Sequence, residues 1–225
     1  MRKMADSDTP VLFATDSGSI RQTPTSAGPA LRASRAMTTS TSGTHQDIVS
    51  SVETWLERAV IGLNLCPFAR AVHVRKQIRY AVSTATDPDQ LVQALTDELR
   101  YLHDCDPQIT DTTLLIHPWV LEDFSEYNEF LDIADVILAG MGMEGEIQIA
   151  SFHPDYQFSG TQRGDASNYT NRAPYPILHL LREDSIDRAV ASVPNTDDIY
   201  KRNIATLRNL GADGWNRLFN KDDRA

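Results

Sequence analysis

Two histidine-proline pairs, His117-Pro118 and His153-Pro154, each close an apolar run that reads as a β-strand, Thr112 to His117 and Ile147 to Phe152. Imidazole titrates near neutral pH, so it can take or give a proton with little perturbation. With Asp155 two residues beyond His153, the set holds the parts of a general base, a general acid and an orienting carboxylate. The same three groups could hold a divalent metal ion, although no H-E-x-x-H spacing is present. The plainer alternative is that each strand-terminal histidine only bonds the backbone of a turn. His179, inside the apolar run Ile177 to Leu181, is expected to be a buried histidine satisfied by a single backbone partner.

The segment 153–176 lies between two apolar runs and is far longer than the usual connection of about 4–6 residues. Tyr156, Phe158, Tyr169 and Tyr175 count against disorder, because disordered segments are poor in aromatics. Arg163, Asp165, Asn171 and Arg172 could form a substrate-binding rim, since guanidinium forks pair well with carboxylate or phosphate. Solvated charges paired with one another are the alternative. No Walker A pattern, G-x-G-x-x-G or G-x-S-x-G elbow occurs, so nucleotide-loop and α/β-hydrolase chemistry lack support.

Cys66 precedes Pro67, which resembles thioredoxin-like and omega-type glutathione transferase sites, where a thiol at a helix N-terminus has a lowered pKa. Here the pair follows a helix, and no resolving cysteine stands two residues on. A helix-ending turn with a small buried side chain is the competing reading, and it predicts a thiol that reacts slowly.

These groups need elements to position them. From Gln46 to Leu63 the apolar residues recur at helical spacing. Residues 72–82 alternate apolar and polar, the period of a half-exposed strand. Asp87-Pro88-Asp89-Gln90 opens a second helix with an N-cap, a proline at its first position and a capping-box glutamine. Thr112 to His117 is a buried strand, Glu122 to Leu138 a helix, and Ile147 to Phe152 and Ile177 to Leu181 are strands. Helices near Ser185–Ala191, at Thr196–Leu210 closed by Gly211, and around Trp215, Leu218 and Phe219 complete the chain. The order predicts an α/β fold, a single domain over 46–220 with a partly parallel four-stranded sheet flanked by helices. If the strands ending at His117 and His153 run parallel, both corners open at the carboxyl edge of the sheet, where open α/β sheets bind ligands.

The net charge of −10 is uneven: residues 1–45 carry five basic and three acidic residues, so the remainder is the more acidic part. Such a surface repels phosphate backbones and argues against a nucleic-acid partner. No apolar run approaches the ~18–20 residues of a membrane span. Two cysteines outside any C-x-x-C pair fit a reduced compartment and exclude a disulfide framework. Residues 1–45, rich in Ser, Thr, Ala and Pro, are expected to be a disordered tail or, since Met37 stands just before the folded region, the product of a start assigned too early.

Four segments in combination, Gly62 to Ala69, Asp123 to Leu131, Phe152 to Phe158 and Asn171 to Glu183, resemble a largely bacterial family labelled domain of unknown function 1415, over about residues 46–218. The resemblance implies a soluble cytoplasmic protein and carries over no catalytic residue. The leading expectation is therefore a hydrolase or transferase acting on a small polar or anionic substrate, with acid-base work at His117 and His153, Asp155 as orienter, and Arg163 and Arg172 on the substrate. The rivals are a non-catalytic ligand- or partner-binding domain using the same loop and a redox protein centred on Cys66. Cofactor, metal dependence and oligomeric state carry no sequence signal.

Overall fold

The computed structural model describes residues 44–191 and 196–219. The expectation for the tail lies outside these residues, apart from positions 44 and 45. Helix α1 (His45–Trp55) begins at a capping box in which the Thr44 side chain accepts from the Asp47 amide and the Asp47 carboxylate accepts from the Thr44 amide. It runs on into a π-helical stretch, Leu56–Ile61. The wider winding continues in bonds from the Gly62 amide to the Glu57 carbonyl and from the Leu65 amide to the Val60 carbonyl, 3.0 and 2.9 Å. Gly62 permits it: a Cβ there would lie 2.3 Å from the Arg58 carbonyl oxygen.

The expected strand over 72–82 is corrected to a shorter one. Ala69–Val74 is helix α2, the chain reverses through Lys76 at a φ of 58°, and only Ile78–Val82 forms strand β1. Val72 is buried while Val74 is exposed, so the alternation mixed a helix face with a strand face. Helix α3 (Pro88–Asp104) carries the expected Asp87 cap, and buries Leu91, Leu95, Leu99 and Leu102 against strand β2 (Thr112–Ile116) and the helix that follows it. Helix α4 (Phe124–Gly140) starts at Asp123, whose carboxylate accepts the Ser125 and Glu126 amides. Strand β3 (Ile147–Phe152), the long loop, strand β4 (Ile177–Arg182), helix α5 (Glu183–Val190) and helix α6 (Thr196–Arg217) follow. Helix α6 is two helices across a break at Gly211, with a φ of 64° and a ψ of 176°, where the sequence places a stop.

The sheet is mixed, in the order β1-β2-β4-β3. β1 and β2 are parallel neighbours, and β4 is antiparallel to both β2 and β3. β2 and β3 therefore point the same way without touching, and their carboxyl ends, with both His-Pro corners, share one edge. Alternate strand residues feed two cores: Leu114, Ile116, Phe152, Ile177 and Leu181 pack with α1, α2 and α6, while Leu115, Ile147, Ile149, Leu178 and Leu180 pack with α3 and α4. None of the described helices is long and apolar enough to cross a membrane.

Candidate functional site

At the carboxyl edge the chain from His117 to Asp123 folds back over the sheet, and Leu121 takes a φ of 57°, uncommon for a leucine. Both histidines are fully buried beneath it. His117 donates from Nδ1 to the Val120 carbonyl, 3.0 Å, and His153 donates from Nε2 to the Leu121 carbonyl, 3.3 Å. Carbonyls only accept, so these bonds fix both tautomers. The other His153 nitrogen, Nδ1, accepts the Asp155 backbone amide at 3.0 Å. His117 Nε2 is buried with no hydrogen-bond partner among the described residues. Burial pushes the His117 imidazole down to about 4, helped by the neighbouring His153, and burial likewise lowers His153.

Tyr127 sits between them. Its ring centroid is 5.7 Å from that of His117 and 5.1 Å from that of His153. The hydroxyl donates to the Ile177 carbonyl at 2.8 Å and accepts the Phe152 amide at 3.1 Å, joining the ends of β3 and β4. The two histidines thus meet one ring at the shared edge, but both are buried there and their corners do not open into the cleft expected of them. The carboxylate of Asp155, expected to orient one of them, turns instead to Arg163 at 2.7 Å on the surface. Among the described residues no cluster of three or more His, Cys, Asp or Glu side chains could hold a metal ion.

The long loop is ordered by buried side chains, with Tyr156 and Phe158 packed 5.0 Å apart. The Asn168 side chain accepts the Phe158 amide and the Thr161 hydroxyl and donates to the Gln162 carbonyl. Asn171, expected on a binding rim, is fully buried, and its amide donates to the Ser151 carbonyl at 3.0 Å. Asp165 caps the 3-10 helix Ala166–Asn171 through the Ser167 amide and hydroxyl. Arg172 donates to the carbonyls of Tyr156 and Arg163, 3.2 and 2.7 Å, and lies 4.7 Å above the Tyr169 ring.

Of the residues expected to do acid-base work or bind substrate, Arg172 alone lines a cleft of about 720 Å³ between α1, the loop and the end of α6. Its walls are Trp55, Tyr169, Trp215, Phe219 and two prolines, with Ser50, Ser51, Thr54 and Asn216 at the polar margin. Trp215 packs on Tyr169 at a tilt, with ring centroids 4.9 Å apart, and meets Phe219 edge-on at 5.5 Å. Asp47 also reaches the cleft, but its carboxylate is engaged by the Thr44 amide and hydroxyl. Trp55 and Trp215 read as helix core in the sequence, and only the meeting of three distant segments turns them into a wall.

Cys66 is buried against Trp55, Phe68 and Phe152, in the first core. Desolvation pushes its thiol up to about 11, outweighing the Ala69 and Phe68 amides that bond it. His179 bonds the Thr112 hydroxyl at 2.7 Å, and that hydroxyl donates to the Leu180 carbonyl, so a side chain is among its partners.

A family model described as Protein of unknown function (DUF1415) matches residues 47–217. The chain belongs to that family. In this DUF1415 member the matched span takes in the histidine pair, the whole loop and every cleft residue except Phe219. Neither the curated proteins nor the solved structures compared yield a match.

Proposed function

We propose that the domain binds a small, flat, anionic molecule in the cleft between α1, the loop and the end of α6. The observation that carries this reading is the setting of Arg172: two carbonyl bonds and the Tyr169 face fix its guanidinium, with no carboxylate at ion-pair distance among the described residues, beside a wall of aromatic rings. A guanidinium ordered before binding loses little further entropy on meeting an anion. Aromatic faces favour a stacked planar ligand, and the volume falls in the usual range of about 300–1,000 Å³ for small-molecule sites.

A titration with aromatic carboxylates and nucleoside monophosphates, read by tryptophan fluorescence, tests this, because Trp55 and Trp215 line the cleft. Ser51 is exposed on α1, and among the described residues its side chain bonds only the Asp47 carbonyl, so Ser51→Trp should fill the cleft without unfolding the protein and abolish the response. If no probe binds the wild type, or Ser51→Trp binds as well as the wild type, the cleft is not the site.

Hydrolase or transferase chemistry at His117, His153 and Asp155, with Arg163, Asp165 and Asn171 supporting the substrate, is a second reading. It draws on one observation, the unengaged lone pair of His117 Nε2. That nitrogen is buried, so the 117–123 segment would have to lift before a substrate could reach it. Turnover that survives replacement of His117 by Asn would exclude this reading.

A further inference from the structure

A second hollow, about 430 Å³, opens at the opposite edge of the sheet and is lined by Arg75, Gln77, Pro107, Gln108, Asp111 and Arg188. It shares no residue with the aromatic cleft. Gln77 and Asp111, immediately before β1 and β2, are each 4% exposed and anchor its floor. The Gln77 amide group donates to the carbonyls of Pro107 and Gln108, 3.0 and 3.1 Å, which turns its oxygen towards Arg75 Nε. The Asp111 amide donates to the Gln77 carbonyl at 2.9 Å. On the far side Arg188 donates to the Ser185 oxygen at 2.8 Å, and the Ser185 hydroxyl donates to Asp111 Oδ1 at 2.6 Å. Each arginine is thus aimed by a buried polar side chain, since Ser185 is buried too.

The charges in this hollow do not cancel one another directly. Among the described residues neither Arg75 nor Arg188 has a carboxylate at ion-pair distance, and Asp111 Oδ2 has no hydrogen-bond partner. Asp111 Oδ2 is not shut away from solvent but faces the hollow, where a donor from a ligand can take the place of water. A simple anion would satisfy the two guanidinium groups and be repelled by Asp111. A simple cation would satisfy Asp111 and be repelled by the arginines. A zwitterion meets both demands, with its carboxylate on the guanidinium groups and its ammonium on Asp111. We propose that this hollow is a binding site for a free α-amino acid.

Calorimetric titration of the whole protein with individual L-amino acids tests the proposal, with the matching deaminated acid and decarboxylated amine run for any that binds. The expected result is saturable binding of at least one amino acid, weakened about tenfold or more in either analogue and in Arg75→Gln and Arg188→Gln. Both arginines are exposed, so these variants should fold, and their melting temperatures check it. Ser51→Trp, in the other cleft, should leave this binding unchanged. The proposal is overturned if no amino acid binds, if the deaminated acid binds equally well, if the arginine variants retain full affinity, or if Ser51→Trp removes the signal.

Discussion

The His153 imidazole donates to the carbonyl of Leu121, 3.3 Å away, and so holds in place a leucine whose φ is 57°. His117 does the same for the preceding carbonyl, that of Val120. The two strand ends therefore clasp one bent segment, at a backbone angle that costs a leucine about 1–3 kcal/mol. His153→Ala should lower stability by about 1–3 kcal/mol, the penalty of leaving buried groups unmatched. His153→Gln, able to donate and accept, should recover part of that loss. Urea unfolding measures both, and an unchanged midpoint in the alanine variant would show that the clasp holds nothing.

Acid should weaken the protein before its carboxylates are titrated. Burial sets His117 at about 4 and lowers His153, whereas an unfolded imidazole titrates near 6.5. The unfolded chain then binds more protons, so stability is complete above about pH 6.5 and falls as the pH drops towards about 4, with a limiting slope near 1.4 kcal/mol per pH unit from His117 and a contribution of the same sign from His153. His117→Asn keeps a donor for Val120 and removes the titrating nitrogen. Its unfolding free energy, measured between neutral and mildly acidic pH, should show a shallower slope than the wild type.

Gly62→Ala should destabilise the fold by about 1–3 kcal/mol, because the new methyl group would sit 2.3 Å from the Arg58 carbonyl oxygen. Neither atom belongs to a flexible side chain, so the π-helical stretch itself must shift. A thermal melt matching the wild type would mean that the turn accommodates a side chain at no cost.

Thiol labelling should separate the two cysteines. Cys105 is half-buried and Cys66 is fully inside the core, with its thiol pushed up to about 11. One thiol should react with iodoacetamide in the native protein at neutral pH and the second only on unfolding. Rapid modification of Cys66 in the folded protein would revive the redox reading.

Much of the fold is legible in short-range pattern. The Asp87-Pro88 start of α3, the Gly211 break in α6 and the buried strands β2, β3 and β4 follow from caps, breakers and apolar runs. The boundary at β1 is not legible, because Val72 and Val74 continue the strand-like alternation backwards into a helix. The π-helical winding after Trp55 leaves no signature beyond Gly62. The two His-Pro corners do lie together, as the parallel direction of β2 and β3 requires. Local sequence could not reveal that backbone carbonyls claim a nitrogen of each histidine, nor that Asp155 faces Arg163. Trp55 and Trp215, a hundred and sixty positions apart, become neighbours of Arg172 only through tertiary packing.

The place of β4 between β2 and β3 governs how the chain can be made. Its residues leave the ribosome last among the strands, yet they hold the centre of the sheet. At about 5–20 residues per second, the thirty residues from Phe152 to Arg182 take about 2–6 s to emerge. Throughout that interval β2 and β3 have no partner between them, and the inner edge of each is open. The closing step is a set of contacts between segments far apart in sequence, the kind that folds slowly. Nascent chains paused within the 153–176 segment should be the aggregation-prone species, with chaperones acting on the wait for the fourth strand.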